Sequence, residues 1–73
     1  MNPVDFTLRG EHITLDALLK ATGLAASGGA AKALLGGGGV QVNGVAETRR
    51  GRKLRPGDEV TLGGACIRVQ QSP

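Results

Sequence analysis

A chain of 73 residues carries one domain at most, and a domain this short buries only about 60–65% of the surface its unfolded form exposes. A large enclosed active site would consume that core, and with Phe6 the only aromatic the core has to be built from Val, Leu, Ile and Ala. Nine Lys and Arg against six Asp and Glu give a net charge of +3, so the placing of the charges matters more than their sum.

Val4, Phe6 and Leu8 alternate with Asp5, Thr7 and Arg9, the period of a half-buried strand, and Gly10-Glu11 offers a turn. Thr14 is placed to cap a short helix, with Asp16 in its first turn and Lys20 in its last, both suiting the helix dipole. Leu15, Leu18, Leu19 and Thr22 recur at helical spacing, and Gly23 provides the stop. A second helix is expected from Ser27 as cap to Leu35, ended by Gly36, with Ala31, Leu34 and Leu35 inward and Lys32 exposed. Both helices are too short to persist alone in water and must pack on each other and on a sheet.

After Gly36 the pattern becomes extended. Val40 and Val42 alternate with Gln41 and Asn43, and Asn43-Gly44 is a strong hairpin-turn pair. Pro56-Gly57 fits the middle of a type II turn. Val60 and Leu62 form one strand face, Gly63-Gly64 turns the chain, and Ala65, Ile67 and Val69 form another, with residues 70–73 expected to fray. The reading is a single α+β domain over 1–73: a strand, two short packed helices and then three or four short strands in a small, mostly antiparallel sheet.

A lone Cys66 makes no internal disulfide, and one His12 beside it leaves too few ligands for a soft metal. No run approaches the roughly 18 apolar residues of a membrane span, and Met1 to Asp5 is not a basic leader before an apolar stretch. A cytoplasmic location follows as the expectation.

Between Ala21 and Gly57 there are six basic residues and one acid, Glu47, and five of the six are Arg49, Arg50, Arg52, Lys53 and Arg55. Such crowding is unfavourable unless solvent or an anionic partner screens it. Arginine supplies four of the five, and its planar donor fork matches phosphate oxygens, so nucleic acid is the indicated partner. Unpaired bases are held on exposed aromatic platforms, and Phe6 alternates into the core. Recognition then rests on phosphates and 2′-hydroxyls, that is, on the shape of folded or double-helical RNA.

The order Leu15-Asp16-Ala17-Leu18-Leu19-Lys20, Gly23-Leu24, Ser27-Gly28-Gly29-Ala30-Ala31-Lys32, Gly39-Val40-Gln41-Val42-Asn43-Gly44, Arg52-Lys53-Leu54 and Pro56-Gly57-Asp58-Glu59-Val60 resembles the RNA-binding domain named for small-subunit ribosomal protein S4. The likeness covers about residues 13–62, and it is similar in particular to the stand-alone bacterial YbcJ-like form. The resemblance implies an αL-type motif: two packed helices leading into a small twisted sheet, with one face for structured RNA. On this sequence that face comprises Ser27 and Gly28 at the start of helix two, Lys32 on its exposed side, and Arg49, Arg50, Arg52, Lys53 and Arg55. Asn43 and Gly44 read as structural. Many relatives carry Arg before the Leu-Asp pair and directly after the helix-two Ser, where this chain has Thr14 and Gly28, so the basic loop has to carry more of the binding.

Other features are weaker. Gly36 to Gly39 lacks the Gly-Lys-Ser/Thr ending of a phosphate-cradling loop and reads as a helix stop and link. The Ser27 helix start could seat a phosphate on its amides or be an ordinary serine cap. Cys66 faces away from Ala65 and Ile67 with no paired base, and no catalytic constellation can be assembled, so no enzyme activity, cofactor or metal is expected. The resulting expectation is a monomeric RNA-binding module for a ribosomal or small regulatory RNA. Alternatives are a protein adapter using the same basic loop and a ubiquitin-like sulfur carrier. The latter lacks a C-terminal Gly-Gly, since the chain ends Gln71-Ser72-Pro73. Membrane attachment would want an apolar anchor, and the basic loop offers only Leu54.

Overall fold

Leu15, Leu18 and Leu19 stand three and four residues apart, so one helix face collects all three. In the computed structural model, which describes residues 3–72, they lie on α1 (Leu15–Ala21) and are fully buried. The expected stop holds: the Thr22 and Gly23 N–H groups donate to carbonyls of the last turn, at Leu18 and Lys20. Helix α2 (Gly28–Gly36) starts as expected, with Ser27 Oγ accepting from the Ala30 N–H at 3.2 Å. Its buried residues are Ala31 and Leu35, and Lys32 is exposed. It ends one residue later than Gly36 suggested. Gly36 keeps helical geometry, the Gly37 N–H still reaches the Ala33 carbonyl at 3.0 Å, and the left-handed residue that turns the chain is Gly38, at φ +77°.

The strands are β1 (Val4–Leu8), β2 (Ile13–Thr14), β3 (Val40–Val42), β4 (Val45–Ala46), β5 (Lys53–Leu54), β6 (Glu59–Leu62) and β7 (Ala65–Gln71). Five strands follow the helices, not three or four; the additions are pairs of residues too short for any alternation to reveal. One sheet has the order β1-β7-β6-β3-β4, antiparallel except for the parallel pair β1 and β7, and a second joins β2 to β5. The fold class is therefore the small, mostly antiparallel α+β architecture.

Residues 70–72 are not a frayed tail. Gln70 and Gln71 pair with Thr7 and Leu8, and the Ser72 N–H donates to the Leu8 carbonyl at 3.0 Å; Pro73 lies outside the described residues. Backbone pairing to β1 holds this segment, and its polar, mostly solvent-facing side chains carry no trace of that pairing.

A single aliphatic cluster joins the helices to the sheet: Leu15, Leu18, Leu19, Ala31 and Leu35 meet Val40, Val42, Leu54, Val60, Ile67 and Val69. Phe6 packs half-buried against it, as its alternation implied. The other face of the sheet, with Gln41, Thr61, Cys66 and Arg68, is polar and more open to solvent.

The two most recognisable sequence stretches clip together. Asn43 and Gly44 turn β3 into β4 with φ of +52° and +83°, a pair of left-handed residues that Asn-Gly accommodates and that fits the twist of a tight hairpin. The Asn43 amide donates to Asp58 Oδ1 at 3.0 Å and accepts from the Glu59 N–H at 2.9 Å, while the Asn43 N–H donates to the Glu59 carbonyl at 2.8 Å. Asp58 in turn accepts from the Arg55 N–H at 2.8 Å, closing the turn at Pro56-Gly57. Replacing Asn43 with Ala removes both amide bonds and forces a Cβ residue without local compensation into the left-handed region. Chemical denaturation of Asn43→Ala should show a loss of about 1–3 kcal/mol, and no loss would mean the clip is idle.

Candidate nucleic-acid interface

The five clustered cations lie on the segment that joins β4 to β5 and runs on to the Pro56-Gly57 turn. Leu54, fully buried, fastens the end of this segment to the core, and Ile13 pairs with it across the small second sheet. The segment also caps a helix. The Leu15 N–H donates to the Arg52 carbonyl at 2.9 Å and the Asp16 N–H to the Arg50 carbonyl at 3.1 Å. A helix leaves its first N–H groups without internal partners, and here the main chain of the basic loop satisfies two of them. Thr14 occupies the cap position, but its side chain makes no capping bond. Its backbone, in β2, pairs with Lys53 of β5, and the loop carbonyls do the capping instead.

Glu47 organises the loop from its base. Its N–H donates to the Val40 carbonyl at 3.0 Å, and only 7% of the residue is exposed. Oε2 accepts from the Thr48 and Arg49 N–H groups at 3.0 and 3.2 Å and from Arg49 Nε at 3.2 Å. Oε1 accepts from Arg49 Nη2 at 3.1 Å and from Arg52 Nη1 at 2.9 Å. Arg49 thus binds the carboxylate as a two-pronged fork, the geometry that suits a guanidinium best. The two arginine side chains, then the Arg49 N–H, pull the Glu47 carboxyl down from 4.5 to about 2.

This divides the five cations. Arg49 and Arg52 share one buried carboxylate, although 73% of the Arg49 side chain still faces solvent. Arg50, Lys53 and Arg55 are exposed and, among the described residues, form no ion pair. An open depression of about 470 Å³ lies along the loop, lined by Arg49, Gly51, Arg52 and Lys53. The basic segment is therefore a fixed shelf with three unpartnered charges and two partnered ones, where charge counting alone gives five equivalent cations.

The remaining expected residues sit on α2. Lys32 is exposed on its outer side, Ser27 spends its hydroxyl on the helix cap, and Gly28 is half-buried at the helix start. The loop docks on α1, and α2 packs on α1, so α1 stands as the common support. Glu47 is the residue that sequence reading missed as a participant. Its trace in the sequence is its place as the lone acid at the head of a run of five cations. Cys66 is partly exposed on the polar sheet face and His12 is exposed. Among the described residues no group of three or more His, Cys, Asp or Glu side chains could hold a metal ion, and no helix is long and apolar enough to cross a membrane.

Two predictions follow from Glu47. Its folded-state pKa is depressed, so its contribution to stability is full above pH 4.5 and fades as the pH falls toward 2. The difference in melting temperature between the wild type and Glu47→Gln should be widest above pH 4.5 and close toward pH 2; a constant difference would mean that the ion pairs add nothing. Arg52→Glu places a second carboxylate beside Glu47 and should lower the melting temperature by about 4 °C or more, whereas Arg50→Glu should leave it within about 3 °C. Equal shifts in thermal melts would contradict the division of the loop into partnered and unpartnered charges.

Comparison with known proteins extends the resemblance outward. A family profile described as the S4 domain matches residues 6–70, which takes in the last three residues of β1 and nearly all of β7 as well as the helices and the basic loop. No curated protein matches the chain. A match over that much of the 73 residues makes this chain a member of the S4 domain family, a family of RNA-binding domains.

Proposed function

We propose that this chain is a non-catalytic module that docks on structured RNA through phosphate and shape contacts of its basic loop. The observation that carries the reading is the pinned shelf. Two main-chain bonds to α1 and the Glu47 fork hold the loop backbone, while the side chains of Arg50, Lys53 and Arg55 stand exposed and, among the described residues, form no ion pair. Cations carried on a pinned main chain suit the regular phosphate spacing of a folded RNA, because little backbone ordering is needed on binding.

In this reading Arg50, Lys53 and Arg55 make the principal phosphate contacts. Arg49 and Arg52 add the guanidinium edges that Glu47 leaves open along the depression beside Gly51. Lys32 and the helix start at Ser27 and Gly28 are auxiliary. With Phe6, the one Phe, Tyr or Trp of the sequence, packed against the core, stacking platforms for unpaired bases are scarce, which favours shape over base sequence. The module works as a monomer in the cytoplasm and needs no metal or cofactor.

Titration of a labelled RNA hairpin at about 50 and 200 mM salt tests this. Three neutralised phosphates give a slope of roughly 2–3 log units in affinity per tenfold change in salt. Folded RNA should compete better than single-stranded RNA or duplex DNA. The double variant Arg50→Glu, Lys53→Glu should bind about a hundredfold more weakly with an unchanged fold by circular dichroism. Unaltered affinity in that variant would remove the loop as the binding face.

A further inference from the structure

An acid inside an anion-binding loop is a cost in simple electrostatics, since it lowers the potential that attracts phosphate. Glu47 is nevertheless buried at the base of the basic segment and accepts five hydrogen bonds from Thr48, Arg49 and Arg52. We infer that Glu47 is a positioning residue that makes the loop selective for the fixed phosphate spacing of folded RNA over a flexible single strand. This rests on the RNA-binding reading above.

Glu47 does two things at once. It ties the Thr48 and Arg49 amides and both neighbouring guanidinium groups to one point, so the loop is ordered before any ligand arrives. It also withdraws Nε and Nη2 of Arg49 and Nη1 of Arg52 from the pool of donors that any polyanion could use. A flexible strand adapts to whatever cations are present and gains from each one set free. A rigid RNA helix gains only from cations already at matching positions, and loses when the loop must be ordered on binding. Removing the carboxylate therefore acts in opposite directions on the two ligands. Charge alone predicts tighter binding to both, and loss of structure alone predicts weaker binding to both.

The test is a titration of wild type, Glu47→Ala and Glu47→Gln with an RNA hairpin and with an unstructured RNA of the same length, at about 50 and 200 mM salt. Gln matches Glu in size but has one acceptor oxygen, so it cannot serve both the amides and the guanidinium groups. It is the second variant should the Ala protein melt too low. The hairpin-to-single-strand affinity ratio should fall about tenfold in both variants. The salt slope for the single strand should steepen by about 0.7–1.4, for one or two arginines released to phosphates. In the RNA-free protein, amide exchange at Thr48 and Arg49 should quicken by about tenfold or more.

If both RNAs change affinity by the same factor while the wild type discriminates, the positioning role is wrong and the RNA-binding reading stands. A wild type that binds both RNAs but does not distinguish them also overturns the selectivity. A wild type that binds neither at low salt overturns the RNA-binding reading and this inference with it.

Discussion

The N-terminal N–H groups of a seven-residue helix need acceptors, and in this protein the first two find them in the carbonyls of Arg52 and Arg50. That one arrangement couples the core to the functional surface. Leu15 begins the helix whose Leu18 and Leu19 fill the interior, and the same residue donates to the loop that carries the charges. A serine or threonine cap would have satisfied the helix equally well, at a worth of about 0.5–2 kcal/mol, but would have left the loop free. Spending the helix end on the loop backbone turns a flexible connection into part of the fold.

The charges impose the second constraint. Five cations within seven positions repel one another, and the repulsion would favour an expanded loop. Glu47 answers this at the base, where low exposure strengthens its interactions and its two oxygens meet five donors. Among the described residues the outer cations pair with no such acid, so charge repulsion is relieved where the loop must be ordered and kept where it faces solvent.

Much of this was legible in the chain. The leucine spacing of α1, the serine cap of α2, the Asn43-Gly44 turn and the alternation of Val40, Val60, Ile67 and Val69 each carry a local physical cause, and each appears where expected. The motif order resembled the S4 domain for the same reason: Asn43 and Asp58 sit in separate stretches because they bond to each other in space. What stayed hidden was non-local. The two-residue strands β2 and β5 have no period to detect, and the pairing of Gln70 and Gln71 with β1 is made by backbone alone. The capping of α1 by loop carbonyls leaves no mark on side-chain identity, so Thr14 looked like the cap. The cluster of cations was plain, but its division into held and available charges needed the position of Glu47.

The parallel pairing of β1 with β7 has a consequence for how the fold is reached. Val4 lies beside Ile67, so two segments from opposite ends of the sequence become neighbours, and β7 also separates β1 from β6. Two of the four strand interfaces in the main sheet therefore wait for the last strand to arrive. The helical hairpin and the Asn43 turn can form from nearby residues, while closure of the sheet is a long-range event with the loop entropy that such contacts carry. During synthesis, β1 has no hydrogen-bonded neighbour until β7 has emerged, and the aliphatic interior stays open on that side until then. The main sheet therefore cannot be completed by growth from its N-terminal strand alone.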